Sequence, residues 1–376
     1  MQNAADESWN LLLSLLPSGW EQQAALCGAV GRLRGFRSTG DLLRVLLMHV
    51  GKGYSLRETA VRARQSGLAD VSDVALLLRL RHVERWWRQL CVALLDESGW
   101  SVGADPRRWN LRALDGTLVK EPGRTGTQWR LHYSLRLPSL ECDCFEITAA
   151  QGSGMGEKLE RLAVAPRDLI LADRGFCRPE GVAAVVRKGA ALIVRLHSTS
   201  LPLYEGNRRL AVLERVRQLT QPGQIGEWPI HVRTAGGAIQ GRLCALRKSE
   251  IAASQSERRV TRKTQKNGGQ TTRPDTLELA RYVLLFTTAP VSDFSAAEVL
   301  ELYRSRWQIE LAFKRLKTLA QLGHLPKHDE HAARGWLYGK LLLALLSQKL
   351  ARHGRAFSPW GYSLADVAAE QRLAAI

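Results

Sequence analysis

Acid is what this sequence is short of. The 376 residues carry 36 Asp and Glu against 54 Lys and Arg, a formal net charge of +18 with a pI near 10.1. Such an imbalance points to a polyanionic partner, of which nucleic acid is the commonest and a membrane surface the rival. A second absence weakens the rival. No apolar run is long enough to span a bilayer, and Lys340–Leu350 is short enough to read as a buried helix. Cysteine is sparse too. The six, at 27, 91, 142, 144, 177 and 244, include no CxxC pair. That argues against a zinc ribbon or a disulfide scaffold and suits reduced thiols in the cytoplasm. Only Cys142 and Cys144 are close, and strand alternation predicts that they face one side. The start, Met1-Gln-Asn-Ala-Ala-Asp-Glu, lacks the basic segment of a secretory signal. Gly152-Ser-Gly-Met-Gly-Glu-Lys lacks the Gly-Lys-Ser/Thr of a phosphate loop. Neither Ser55, Ser153 nor any cysteine sits in a nucleophile elbow. His324, His328 and His331 occupy a polar loop without cysteine, poor context for zinc.

What is present is an ordinary globular composition, 45% hydrophobic and 24% charged, with length for two or three domains. Residues 1–105 read as helical: Ser8–Leu16, Gln22–Leu33, Thr39–Met48, and then two capped helices. One opens with Ser55 followed by Glu58 and ends at Gly67; the other opens at Ser72. Two helices joined by a short turn resemble a helix-turn-helix, and the second carries Arg79, Arg81, His82, Arg85 and Arg88. A helical bundle with a solvated basic face accounts for the same pattern.

Residues 106–197 change to strands, Asn110–Val119, Gln128–Arg136 and Glu141–Ala149. A short helix at Glu157–Val164, an apolar strand Asp168–Ala172, a helix Pro179–Lys188 and a strand Ala190–Leu196 follow. The order β-β-β-α-β-α-β predicts an α/β fold with a mixed sheet flanked by helices. Residues 198–290 interrupt it with short strands, among them Val212–Leu219 and Trp228–Thr234, and a basic loop at Arg247–Arg273. Residues 291–376 contain a helix predicted over Phe294–Leu319, with Ser295 as its cap, and a last helix from Ala332.

Three carboxylates stand out. Asp115 lies mid-strand, a poor place for an unpaired charge, although Asp-Gly also suits a hairpin turn. Asp173 ends an apolar strand, where sites form in open α/β sheets. Glu310 lies on the Phe294–Leu319 helix, where Tyr303, Arg306, Glu310, Lys314 and Lys317 fall on one face by steps of three and four. Ion pairs on an exposed helix explain that face equally well. Converging carboxylates repel unless a cation intervenes, and hard Mg²⁺ or Mn²⁺ suits them. Two such ions can activate a water or a 3′-hydroxyl and stabilise the leaving oxygen in phosphodiester cleavage. Arg306 and Lys317 would then hold phosphate oxygens and Tyr303 would orient them.

Asp115-Gly-Thr, Asp173-Arg-Gly-Phe and Tyr303-x2-Arg306-x3-Glu310-x6-Lys317, in that order, resemble the signature of the bacterial insertion-sequence DDE transposases. More narrowly they resemble the subgroup named for its Tyr-Arg-Glu-Lys motif. The likeness spans roughly residues 40 to 350. It implies an RNase H-like catalytic domain built from 106–197 and 291–376, interrupted by the β-rich insertion, and an N-terminal domain that binds the element's terminal inverted repeats. It also implies Asp115, Asp173 and Glu310 as ligands to two Mg²⁺ or Mn²⁺ ions, a homodimeric synaptic complex, and cut-and-paste transfer to target DNA. A hairpin intermediate with a flipped base stacked on an insertion tryptophan belongs to the same picture, and Trp228 is the only tryptophan there. A nuclease that never joins strands, or a DNA-binding regulator derived from a transposase, are the alternative readings.

Overall fold

The structure, a computed structural model, describes residues 4–97, 109–121, 128–137, 139–152, 155–266, 271–323, 325–326 and 329–356. Ser153, the Gly268-Gly269 pair, His324, His328 and the boundary expected near residue 105 lie outside them. In chain order come α1 (Ala4–Ser14), α2 (Trp20–Leu26), α3 (Thr39–Lys52), α4 (Leu56–Gln65), α5 (Asp73–His82) and α6 (Glu84–Glu97). Next are β1 (Asn110–Lys120), β2 (Gln128–Arg136), β3 (Cys142–Ala149), β4 (Asp168–Ala172), α7 (Pro179–Val186) and β5 (Ala191–Arg195). Then follow β6 (Leu203–Glu205), β7 (Arg208–Arg209), α8 (Val212–Val216), β8 (Ile225–Thr234), β9 (Gly237–Arg247), α9 (Glu250–Lys266), α10 (Pro274–Leu279) and β10 (Tyr282–Thr287). The last are α11 (Ala296–Arg304), α12 (Trp307–Thr318) and α13 (Glu330–Ala356).

Serine caps start the early helices. Ser38, Ser55 and Ser72 accept the backbone N–H of Asp41, Glu58 and Ala75, each bond typically contributing ~1 kcal/mol. Gly53 and Gly67, at φ of 70° and 67°, end α3 and α4 in the left-handed region that side chains avoid. The helices do not form a separate bundle. Leu42, Leu46, Leu76, Leu80, Trp86 and Trp87 share one core with Trp129 and Leu131 of β2, Phe313 of α12 and Trp336 and Leu341 of α13. The long helix α13 packs against α3, α5 and α6. Two of its glycines allow that approach: a Cβ on Gly335 would stand 2.3 Å from the Leu80 carbonyl oxygen, and one on Gly339 2.3 Å from the Trp87 ring. Since Leu80 offers backbone there, Gly335→Ala should force the helices apart and lower stability by about 1–3 kcal/mol. A urea titration of the purified chain reads this, and an unchanged midpoint would contradict it.

The strands form one ten-stranded sheet in the order β3-β2-β1-β4-β5-β10-β9-β8-β6-β7. Only β1–β4 and β4–β5 are parallel; the other pairings are antiparallel. The apolar β4, buried at every residue, needs a centre position, and it has one. This is the mixed sheet flanked by helices, with helical N-terminal region and β-rich insertion, that the motifs implied. The insertion is no separate sheet, because β10 pairs with β5 and carries β9, β8, β6 and β7 onto the same edge.

Several local expectations are corrected. Val212–Val216 is a helix, not a strand. The apolar spacing at Val212 and Val216 is one helical turn, and both are buried. Arg247–Arg273 is not a loop: Glu250–Lys266 is a 17-residue helix whose only buried residue among those described is Ala253. Glu157–Val164 contains only the 3-10 turn Leu159–Arg161. Cys142 and Cys144 face opposite cores, because a bulge at this point of β3 breaks the alternation. It aims Asp143 into the interior, where Arg112 of β1 binds it and Asp168 of β4, each at 2.8 Å.

The helix predicted over Phe294–Leu319 is two helices. Ser295 caps α11 in a capping box with Glu298, as expected. Between α11 and α12 the N–H groups of Ser305, Arg306, Gln308 and Ile309 bond three residues back rather than four. A turn wound at three residues per turn aligns Tyr303 with Arg306.

Candidate active site

The parallel register of β1 and β4 ends at Leu114 opposite Ala172. The next residue on each side is Asp115 and Asp173, so two carboxylates emerge side by side. Asp115 remains within β1, paired with Tyr133, while Gly116 pairs with His132; the hairpin-turn reading of Asp-Gly is thereby excluded. Asp173 is the first residue past β4, before the 3-10 turn Arg174–Phe176.

The α11–α12 segment closes over this edge. The Tyr303 hydroxyl donates to Asp173 Oδ1 at 3.5 Å. Arg306 donates from Nη1 to Asp115 Oδ2 at 3.3 Å and from Nη2 to Glu310 Oε1 at 2.6 Å. Its guanidinium lies 5.8 Å from the Tyr303 ring centroid. The structure thus brings Asp115, Asp173, Tyr303, Arg306 and Glu310 together from three stretches of chain. Lys317 sits half-buried in the last turn of α12, without an ion pair among the described residues.

Burial raises the Asp115 carboxyl to about 6; the Gly116 N–H and Arg306 oppose the rise, and Asp173 and Glu157 add to it. Burial also raises Tyr303, with Asp173 adding to it and Arg306 opposing. For Arg306, burial disfavours the charge, but Tyr303, Glu310 and the two aspartates outweigh it and its pKa rises. The donor atoms are carboxylate oxygens, the chemistry that Mg²⁺ and Mn²⁺ prefer. Burial disfavours the charged form of Asp115, a cost that a bound cation would relieve. As they stand, no three of His, Cys, Asp and Glu among the described residues are grouped closely enough to hold an ion. Arg306 bridges Asp115 and Glu310, and the Glu310 side chain is 60% exposed.

Other candidates are placed elsewhere. Arg79 is half-buried; it donates to the Arg32 carbonyl and stacks over Phe36. Arg81 pairs with Asp329 at 2.9 Å and is exposed, as are His82, Arg85 and Arg88. Trp228 lies on β8, four strands from β4, with its ring against Gly226 and near Leu219. Cys177 is buried, its thiol pushed up to about 11 by burial, and it accepts the His197 N–H.

Sequence reasoning missed three features. Trp307, beside Arg306, is 51% exposed. Glu157 comes near Asp115 across the sheet edge. Arg174, Arg195, Lys248 and Arg259 approach one another on the insertion side. Burial and these three arginines press Lys248 down to about 8, while burial and Arg195 lower Arg174. None of the four forms a salt bridge among the described residues. Like charges so gathered are a surface for an anion, and only the tertiary fold reveals it.

Residues 150–346 match the family model described as Transposase DDE domain. The chain is 32% identical over 366 residues, 95% of its length and 97% of the relative's, to "Putative transposase InsL for insertion sequence element IS186A" of Escherichia coli strain K12. It is also 32% identical over 367 residues, with the same coverage, to "Transposase for insertion sequence element IS421" of Escherichia coli.

Proposed function

The chain belongs to the DDE transposases of bacterial insertion sequences, and from that premise we propose that it moves its element by cut and paste, using Asp115, Asp173 and Glu310 as its catalytic carboxylates. Like its family it is a DNA-cleaving and strand-transferring enzyme. No helix among the described residues is long and apolar enough to cross a membrane. The observation that carries the assignment is the pairing of Asp115 and Asp173 at the end of two parallel strands, with Arg306 tying Glu310 to Asp115.

Divalent Mg²⁺ or Mn²⁺, held by these three side chains, would supply charge neutralisation and a more acidic water or 3′-hydroxyl. The remaining work falls to this chain. Arg306 leaves Asp115 and Glu310 for the non-bridging oxygens of the scissile phosphate, where its planar fork binds two at once. Tyr303, already hydrogen-bonded to Asp173, orients the phosphate. Lys317 adds a point charge one side of it. The Arg174–Arg195–Lys248–Arg259 surface takes the flanking backbone, and Arg79, Arg81 and their neighbours on α5 and α6 bind the terminal repeat. Strand nicking frees a 3′-hydroxyl that attacks the opposite strand, leaving a hairpin, in a synaptic homodimer. Exposed Trp307 is better placed than Trp228 to stack an unpaired base there. The Tyr-Arg-Glu-Lys spacing supports membership of the subgroup of that name.

The test uses a duplex carrying the element's own end, the full chain and Mg²⁺. A nick with a 3′-hydroxyl, then a hairpin on a denaturing gel, then joining of pre-cut ends to target DNA are expected. Lys317→Ala should slow nicking on the order of tenfold, the loss of one phosphate contact. Nicking without any joining of pre-cut ends would leave a nuclease and sink the transposition reading.

A further inference from the structure

Two motif glycines stand beside the paired aspartates: Gly116 follows Asp115, and Gly175 comes two residues after Asp173. Neither has a positive φ, so backbone conformation does not require glycine at either place. At Gly175 a neighbouring side chain does: a Cβ there would lie 2.0 Å from Oε2 of Glu157 and 2.9 Å from its Cδ, whereas one on Gly116 would meet Oε1 at 3.6 Å, an ordinary contact. The Glu157 carboxylate therefore packs against both glycines at once. Arg130 of β2 holds it there, donating from Nη1 to Oε1 at 2.5 Å. Arg130 pairs with Leu118 in the β1–β2 ladder, so the clamp is anchored on the strand that carries Asp115.

From this packing we infer that Glu157 is a positioning residue of the cleavage centre, fixing the Asp115 segment against the Asp173 segment and adding negative charge where a divalent cation must bind. The inference rests on Asp115 and Asp173 being the metal ligands. It accounts for Gly175, and it gives the stretch Gly156-Glu-Lys-Leu a task other than phosphate binding. Groups that orient metal ligands typically change affinity by ~10–100-fold when replaced.

The experiment titrates the full-length chain with Mn²⁺ and follows free ion by electron paramagnetic resonance. Glu157→Gln and Gly175→Ala should each weaken Mn²⁺ binding on the order of tenfold. The Mg²⁺ needed for half-maximal nicking should rise alike, and the melting temperature in EDTA should hold. In a Glu157→Ala background, adding Gly175→Ala should cost little more, since no carboxylate is left to displace. Unchanged Mn²⁺ affinity in Glu157→Gln overturns the inference. So does an equal penalty for Gly175→Ala with and without Glu157, and this comparison decides if Glu157→Gln folds poorly. Asp173→Asn separates the two levels. If it binds Mn²⁺ and nicks like the wild type, the underlying site assignment fails; if it is inactive while Glu157→Gln is normal, only the role of Glu157 fails.

Discussion

Replacing Asp115 by Asn should abolish strand nicking and, at the same time, stabilise the metal-free protein. The first effect follows from charge. An amide cannot neutralise a divalent cation, and losing one of three carboxylates should slow the chemistry by at least about a thousandfold, ~4 kcal/mol of barrier. The second follows from where the carboxylate stands. Its ordinary value is 3.8, and in the fold burial lifts it to about 6. A raised acid favours the protonated form, so ionisation costs the folded state. The cost is absent below about pH 3.8, grows between there and about 6, and is complete above, at ~3 kcal/mol. The neutral Asn avoids it. At pH 8 in EDTA the variant should therefore unfold at higher urea than the wild type, and the difference should vanish near pH 4. Excess Mg²⁺ should narrow the gap at pH 8, because only the wild type gains from binding. The same titration predicts that wild-type nicking falls as pH drops through about 6, as protons compete for the ligand. An Asn variant less stable than wild type at pH 8 would show that Arg306 already neutralises Asp115.

Much of this was legible in the sequence, for identifiable reasons. Asp115 interrupts an apolar strand and Asp173 terminates one, and such positions carry information because burial penalises a charge that has no task. The Tyr303, Arg306 and Glu310 spacing marked a polar helix face. What the helical wheel could not show was the tightening at Ser305–Ile309, which depends on hydrogen-bond choice rather than on side-chain pattern. Glu157 was invisible because it lies in an irregular segment before the Leu159–Arg161 turn, and its partners, two glycines and Arg130, are distant in sequence. The bulge at Asp143 escaped for a related reason: alternation assumes an unbroken pleat, and one extra residue reverses the faces of Cys142 and Cys144. For the insertion, composition reports strands but not which edge of the sheet they join.

That bulge leads to the largest stability prediction. Arg112 is 1% exposed and both its partners, Asp143 and Asp168, are fully buried. Its pKa rises, for although burial opposes the charge, the two aspartates outweigh it. It also donates to the Ala163 carbonyl at 2.7 Å. The cluster joins β1, β3 and β4, three residues before Asp115 and five before Asp173, so it sets the strands whose ends meet at the site. Removing the cation alone leaves buried Asp168 without its ion-pair partner and Asp143 with only Arg136, 3.8 Å away. Arg112→Met should therefore destabilise the fold by about 3–5 kcal/mol, enough to unfold a domain of ordinary stability. Replacing all three residues by apolar ones of similar volume should recover most of that loss, since a buried ion cluster offers little net stability over a packed apolar one. The triple variant then isolates the structural question from the chemical one. If the cluster matters only for stability, the recovered fold should nick DNA at the wild-type rate. If the three charges fix the register of β1 against β4, it should melt normally yet nick slowly, with a raised Mg²⁺ requirement. The bulge argues for the second outcome, because without the directional contact between positions 112 and 143 nothing fixes the extra residue of β3 against β1, and a relaxed β3 would let β1 slide. A urea titration beside a Mg²⁺ titration of nicking, on the single and triple variants, decides between them.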